Sequence, residues 1–356
     1  MNRWQLISAL RQKGRMSRKD IARVCNLSLP TVNKIIKFYL KKGVIRESGL
    51  DKSSGGRRPV LYEFNEKVKY AIGVDFEIPE LTIVITDLKG KIVDKCFTYL
   101  PDKKDPSSVI GYVSERIEEL LKRKRLRSKD IVGVGFGAPA FLNQDRITIS
   151  GKNLPSWKQV PVREILEERL GIPVVIDNDV NFMSLSESYH MDYRDKVLVY
   201  LALRKGTKGD IRMGGGVLIN GQVFHGAHGN AATLRHAYID FSSSKRSEEV
   251  IEDAMKIQNP QKMILKLRDH LLIPMLNMVV LFDPDRVVIN AGILGQWEKV
   301  FVRECERGLK HRLQKLFNWN FKVDMARDRE MPCAKGAAIY VLQKVFNNPD
   351  IFLEKF

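Results

Sequence analysis

The chain has 356 residues, 44% of them hydrophobic and 29% charged, a length that predicts two or three domains and a composition that excludes disordered and collagen-like classes. Four scattered cysteines with no C-x-x-C pair exclude a disulfide scaffold or cysteine zinc site. The longest apolar run, Leu271 to Phe282, is broken by Pro274 and Asn277 and falls short of the roughly twenty residues a membrane helix needs. The formal net charge is +18, and +11 of it lies in residues 1 to 65, which hold fifteen Lys and Arg against Asp20, Glu47, Asp51 and Glu63. A polyanionic partner for a small N-terminal domain follows. With no signal-peptide core near Arg3, Arg11, Lys13 and Arg15, the chain is expected in the cytoplasm.

Trp4, Leu6, Ile7 and Leu10 stand at helical spacing and predict a first helix that ends near Gly14. Ser17-Arg18-Lys19-Asp20 has the form of a capping box, predicting a second helix with Ile21, Val24 and Cys25 on one face. After Asn26-Leu27, Ser28 can cap a third helix with Pro30 in its first turn. There Val32, Ile35, Ile36, Tyr39 and Leu40 form the apolar stripe, and Thr31, Asn33, Lys34 and Lys37 the polar face. Short polar groups beside cations suit base edges and phosphates in a major groove; a three-helix bundle with a solvated basic face is the blander reading. Gly43 to Gly49 and Val60 to Phe64 alternate as two strands around a basic, glycine-rich tip holding Arg57 and Arg58, suited to a minor groove. Residues 1–65 therefore read as a winged helix-turn-helix whose DNA contacts are Ser28, Thr31, Asn33, Lys34, Lys37, Arg57 and Arg58.

From Tyr70 strand-like and helical runs alternate, which predicts an α/β domain over residues 70–356. Ala71 to Phe76 and Leu81 to Asp87 read as a hairpin, Val109 to Lys122 as a helix, and Ile131 to Gly137 as a buried strand. A strand-rich block spans Val197 to Val223, followed by a long buried helix, Met263 to Leu281, and a strand, Val287 to Asn290. Two similar lobes facing a cleft are expected. Asn178-Asp179, after a β run, reads on its own as a helix cap.

Four segments carry a resemblance: Asn153-Leu154-Pro155-Ser156-Trp157; Val175 to Asn181; Gly214-Gly215-Gly216-Val217-Leu218-Ile219-Asn220-Gly221; and Gly226-Ala227-His228-Gly229-Asn230-Ala231. In this order, behind a winged helix with Gly55-Gly56-Arg57-Arg58-Pro59 at its tip, the chain resembles the repressor branch of the ROK family (repressors, open reading frames, kinases). The resemblance implies a ribonuclease H-like α/β fold of the actin and sugar-kinase superfamily, in two lobes. It also implies a sugar site at Asn153, Asn178, Asp179 and His236, with Asp179 at the position that serves the family's kinases as general base.

Five departures qualify that picture. Where the kinases carry an Asp-x-Gly-Gly-Thr phosphate loop, this chain has Asp75-Phe76-Glu77-Ile78-Pro79-Glu80, whose carboxylates and proline repel a phosphate and remove a donor. The second phosphate segment reads Lys208-Gly209-Asp210-Ile211-Arg212-Met213 before Gly214, and Val288 to Gly292 is a poor match to the adenosine glycines. Thr233 replaces the sugar-binding glutamate, with Glu248 or Glu249 as candidate substitutes, and Phe241 to Arg246 replaces the zinc loop. No metal and no cofactor is expected; a site of His225, His228 and His236 is the weak alternative. The leading expectation is a sequence-specific DNA-binding regulator, a repressor of carbohydrate-utilisation genes, that binds double-stranded operator DNA as a homodimer or higher oligomer and responds to a sugar or polyol. The alternatives are an ATP-dependent sugar kinase with an added DNA-binding domain, and a regulator that answers to a protein partner.

Overall fold

Local capping signals set the first elements of the computed structural model, which describes residues 2–51, 58–100, 105–143, 146–148, 157–191, 195–205, 211–234, 237–240, 245–313 and 320–356. Helix α1 (Asn2–Lys13) is followed by a two-residue strand β1 (Met16–Ser17), α2 (Arg18–Cys25) and α3 (Leu29–Lys41). The Ser17 hydroxyl accepts the Asp20 N–H at 3.2 Å while Asp20 reaches back to the Ser17 N–H, which completes the capping box. Asn26 ends α2 in the left-handed region at φ 51°, where an Asn costs less than most residues. Strands β2 (Ile45–Leu50) and β3 (Val60–Phe64) pair antiparallel, and β1 adds to the free edge of β3. The periodicity did not reveal β1, because two residues are too few to show alternation.

The larger part of the chain holds two five-stranded sheets. The first contains β4 (Tyr70–Glu77), β5 (Glu80–Asp87), β6 (Ile92–Tyr99), β7 (Ile131–Ala138) and β10 (Val174–Asn178), in the order β10-β7-β4-β5-β6. Helices α4 (Pro106–Lys124) and α5 (Val162–Leu170) cover it, and a small hairpin, β8 (Phe141–Asn143) with β9 (Arg146–Thr148), extends from its end. Helix α6 (Asp179–His190) leads into the second sheet: β11 (Val197–Lys205), β12 (Ile211–Ile219), β13 (Gln222–Val223), β16 (Arg286–Asn290) and β17 (Lys322–Met325), in the order β13-β12-β11-β16-β17. A short pair, β14 (Tyr238–Asp240) with β15 (Lys245–Arg246), precedes α7 (Ser247–Met255) and α8 (Pro260–Phe282); α9 (Glu298–Leu313) lies between β16 and β17, and α10 (Pro332–Asn347) and α11 (Pro349–Lys355) close the chain. In both sheets the first three strands run as an antiparallel meander and the last two add in parallel beside the first, so the two lobes repeat one topology.

Glycines let α6 and α10 lie between the sheets with backbones nearly in contact. A Cβ on Gly73 of β4 would stand 1.7 Å from the Ala334 carbonyl oxygen, and one on Gly336 would stand 1.8 Å from the Phe182 carbonyl oxygen. Gly214 and Gly216 of β12 similarly admit Val180 and Ser184 of α6. Within the Gly214 to Gly216 run, which resembles a phosphate segment, the outer two glycines thus admit α6, and Gly215 admits the Ala232 carbonyl and Leu234.

The N-terminal module does not sit apart from this body. Leu6, Ile7, Leu10, Ile36 and Tyr39 share one buried cluster with Val345, Phe346, Phe352 and Phe356 of the C-terminal helices. The Trp4 indole donates to the Phe346 carbonyl at 2.9 Å, and the Arg11 guanidinium stacks 3.3 Å from the Phe346 ring centre. Burial of such side chains contributes about 1.5 to 3 kcal/mol each, so docking of the module is a property of the core.

Candidate functional site

Two surfaces hold the residues singled out from the sequence. On α3, Lys34 and Lys37 are exposed, as is Arg58 at the foot of the wing. Ser28 is exposed and caps the helix: its hydroxyl accepts the Thr31 N–H at 3.4 Å and lies 2.8 Å from the Thr31 hydroxyl. Thr31 and Asn33 are half-buried, and Asn33 Oδ1 is buried without a hydrogen-bond partner among the described residues. The polar face is therefore narrower than the helical spacing suggests, with the two lysines carrying its outward part. Arg57 lies outside the described residues.

The second surface is the cleft between the lobes. A cavity with about 650 Å³ of empty space, counting its open mouth, is lined by Glu77, Asn178, Asp179, Arg204, Arg212 and Thr233, among others. Asn178 ends β10 and caps α6, accepting the Val180 N–H at 3.0 Å. Asp179, the first residue of α6, is 4% exposed. One of its oxygens accepts the Val180 N–H at 2.9 Å, and the other accepts Arg204 Nη1 at 2.9 Å. The same guanidinium extends Nη2 to Glu77 and to Asp75, the latter at 3.5 Å. An arginine fork with five donors is suited to several carboxylates at once. Thr233 donates its hydroxyl to the Asn230 carbonyl at 2.7 Å, and Asn230 in turn bonds both backbone groups of Leu142, tying the second lobe to the first.

The electrostatics follow from three acids around one base. Burial raises Asp179 above the ordinary carboxylate range despite the guanidinium beside it. Burial likewise pushes Glu77 up to about 7, opposed by Arg204 and reinforced by Asp75 and Asp179. Burial alone would lower Arg204, but the carboxylates outweigh it and raise its pKa. Behind the cluster the Cys333 thiol, at the start of α10, is buried beside Asp75. A second pair crosses between the lobes nearby: His225 Nε2 lies 2.7 Å from Asp177 Oδ2 of β10. The Asp177 hydrogen bond raises the imidazole pKa, against a smaller opposing effect of burial.

Asn153 and His236, expected in this cleft, lie outside the described residues, so the structure brings together only Asn178 and Asp179 of the four. Glu249 is exposed on α7 and is not one of the residues lining the cavity, which corrects its candidacy for the place of the glutamate replaced at Thr233. The side chain of Glu248 is outside the described residues. Sequence reasoning missed Arg204 and the Asp177–His225 pair. An arginine following the apolar run Val197 to Leu203 was the available signal for the first.

Comparison with known proteins adds a context to this geometry. The family model "ROK family" matches residues 71–247, and a winged helix-turn-helix DNA-binding model matches residues 2–46. The xylose repressor of Caldicellulosiruptor bescii is 23% identical over 94% of this chain and 94% of its own. The N-acetylglucosamine repressor of Escherichia coli is 26% identical over 64% of this chain and 55% of its own. Among solved structures, a ROK family transcriptional regulator described as a homologue of the E. coli MLC protein superposes with a TM-score of 0.77 at 20% identity, covering 99% of this chain and 98% of that one. A ROK family glucokinase from Streptomyces griseus, solved with glucose and AMPPNP, superposes with a TM-score of 0.60 at 17% identity, covering 76% of this chain and 98% of that one. Both likenesses are in fold.

Proposed function

The chain belongs to the ROK family and carries an N-terminal winged helix-turn-helix, and on that premise we propose that it is a sugar-responsive DNA-binding repressor of carbohydrate-utilisation genes. The observation that carries the reading is a basic helix-turn-helix built onto the same core as a sugar-kinase-like cleft. Lys34, Lys37 and Arg58 supply phosphate contacts, Ser28, Thr31 and Asn33 sit at the start of the recognition helix, and Arg57 completes the wing. A winged helix reads about half a site, so a homodimer on a palindromic operator is the natural assembly. Asn178 and Asp179, with Asn153 and His236, form the sugar site, and occupancy changes the lobes and hence the spacing of the DNA-binding modules.

The proposal includes the absence of sugar phosphorylation. Arg204, anchored to Asp75, Glu77 and Asp179, occupies the end of the cleft where the family's kinases bring their phosphate loops together, and it blocks the carboxylate a kinase would use as base. Incubation with ATP and xylose, glucose or N-acetylglucosamine should yield no sugar phosphate; turnover abolished by Asp179→Asn would overturn this part. Operator sequences selected from a random DNA pool should be bound with an affinity that falls about a thousandfold from 50 to 200 mM salt if six or more phosphates are contacted. Selected DNA should be released on adding one of the sugars. A pool that shows no enrichment would sink the reading.

A further inference from the structure

If the cleft is a sugar site, as the preceding reading holds, its key carboxylate is already taken. Both Asp179 oxygens have donors, one from Val180 N–H and one from Arg204, and its side chain is only 6% exposed. We propose that Arg204 is an internal competitor for the ligand: its guanidinium holds the face of Asp179 that ligand hydroxyls must reach, so affinity depends on how readily this side chain is displaced.

The chemistry of the two competitors is alike. Neighbouring hydroxyls of a sugar present two donors to a carboxylate, and so does the guanidinium fork. Arg204 and Asp179 both line the cavity, so the exchange takes place at its wall. The displaced side chain need not enter solvent, because two of its partners lie on β4 and not on α6. Glu77 already accepts Nη2, and Asp75 Oδ1 is a buried acceptor with no hydrogen-bond partner among the described residues. A small swing toward β4 frees Asp179 and satisfies that oxygen. Arg204 also packs on the Met183 sulfur, with Nη1 at 3.4 Å, and the same swing draws it away from that atom.

When the competent state is a fraction of the population, apparent affinity falls by that fraction. Removing the competitor should therefore tighten binding, the opposite of what deletion of a ligand-contacting arginine does. The Arg204→Met, Glu77→Gln double variant removes the cation together with one of the carboxyl groups that answer it, which limits the excess of negative charge left behind. Calorimetric titration of the full chain with D-xylose, D-glucose and N-acetyl-D-glucosamine is expected to show at least one sugar bound about tenfold more tightly by the double variant than by the parent protein. Equal or weaker binding overturns the proposal and leaves the sugar-site reading standing. Absence of binding by every form overturns both. Should the double variant fail to show a cooperative melt, Arg204→Lys carries the test, since one ammonium cannot hold three carboxylates. It is expected to bind about threefold more tightly than the parent, and no gain overturns the proposal.

Discussion

The two lobes repeat one strand order, yet their equivalent strands arrive at the cleft with opposite charge. β4, first in its meander, ends in Asp75 and Glu77; β11, first in the other, ends near Arg204. In a phosphate-binding cleft both ends would present glycine-rich backbone. Here the described strand ends carry charged side chains, and Arg204 of one lobe bonds Asp75 and Glu77 of the other. The lesson is that a repeated topology supplies two facing strand ends, while the residues placed there decide whether the gap holds a ligand or an internal ion cluster.

The largest effect should come from breaking that grip on one side. Arg204→Ala leaves three crowded carboxylates without their cation, and loss of one partner of a buried pair costs about 3 to 5 kcal/mol. Urea denaturation should show it; a cost below about 1 kcal/mol would mean the cluster is solvated and contributes little. Next, the lobes can be compared through their glycines. Gly73→Ala meets backbone in the first lobe and should cost about 3 kcal/mol, whereas Gly214→Ala in the second meets the Val180 side chain, which can shift, and should cost about 1 kcal/mol. Equal destabilisation would show that α6 is held as rigidly as α10.

The comparison also has a pH dependence. His225 has a folded pKa raised above 6.5, so its contribution is present below that value and fades as pH rises through the folded value. Glu77 has a folded pKa of about 7, raised from 4.5, so a penalty for ionising it in the fold develops across that interval. Both make the folded state the better proton binder, and the melting temperature should decline as pH rises from about 5 to 8. His225→Gln should flatten the upper part of that slope. An unchanged slope would assign the effect to the Arg204 cluster alone.

Much of the N-terminal module was legible because its determinants are local: a capping box within four residues, a serine cap with a proline in the next first turn, and an apolar stripe along thirteen. The hairpin of β4 with β5, the strand β7 and the helix α8 were legible for the same reason. The cleft was not. Arg204 lies 129 residues from Asp75 and 127 from Glu77, and no periodicity links them. The carboxylates after β4 were read as hostile to phosphate, which their positions support, but the cation that answers them was invisible. β6 was missed because its alternation of half-buried Ile92, Asp94, Cys96 and Thr98 with exposed Lys95, Phe97 and Tyr99 mixes polar and apolar residues on both faces.

Helix α10 carries Cys333 in its first turn, behind the ion cluster, and Phe346 in its last, under the helix-turn-helix, roughly 20 Å apart at 1.5 Å per residue. Its middle cannot bend independently, since Gly73, Gly135 and Gly336 allow no slack between its backbone and its neighbours. It therefore moves as one rigid rod. A tilt of about 5° around the cleft end would carry the far end, and the helix-turn-helix packed on it, through about 2 Å.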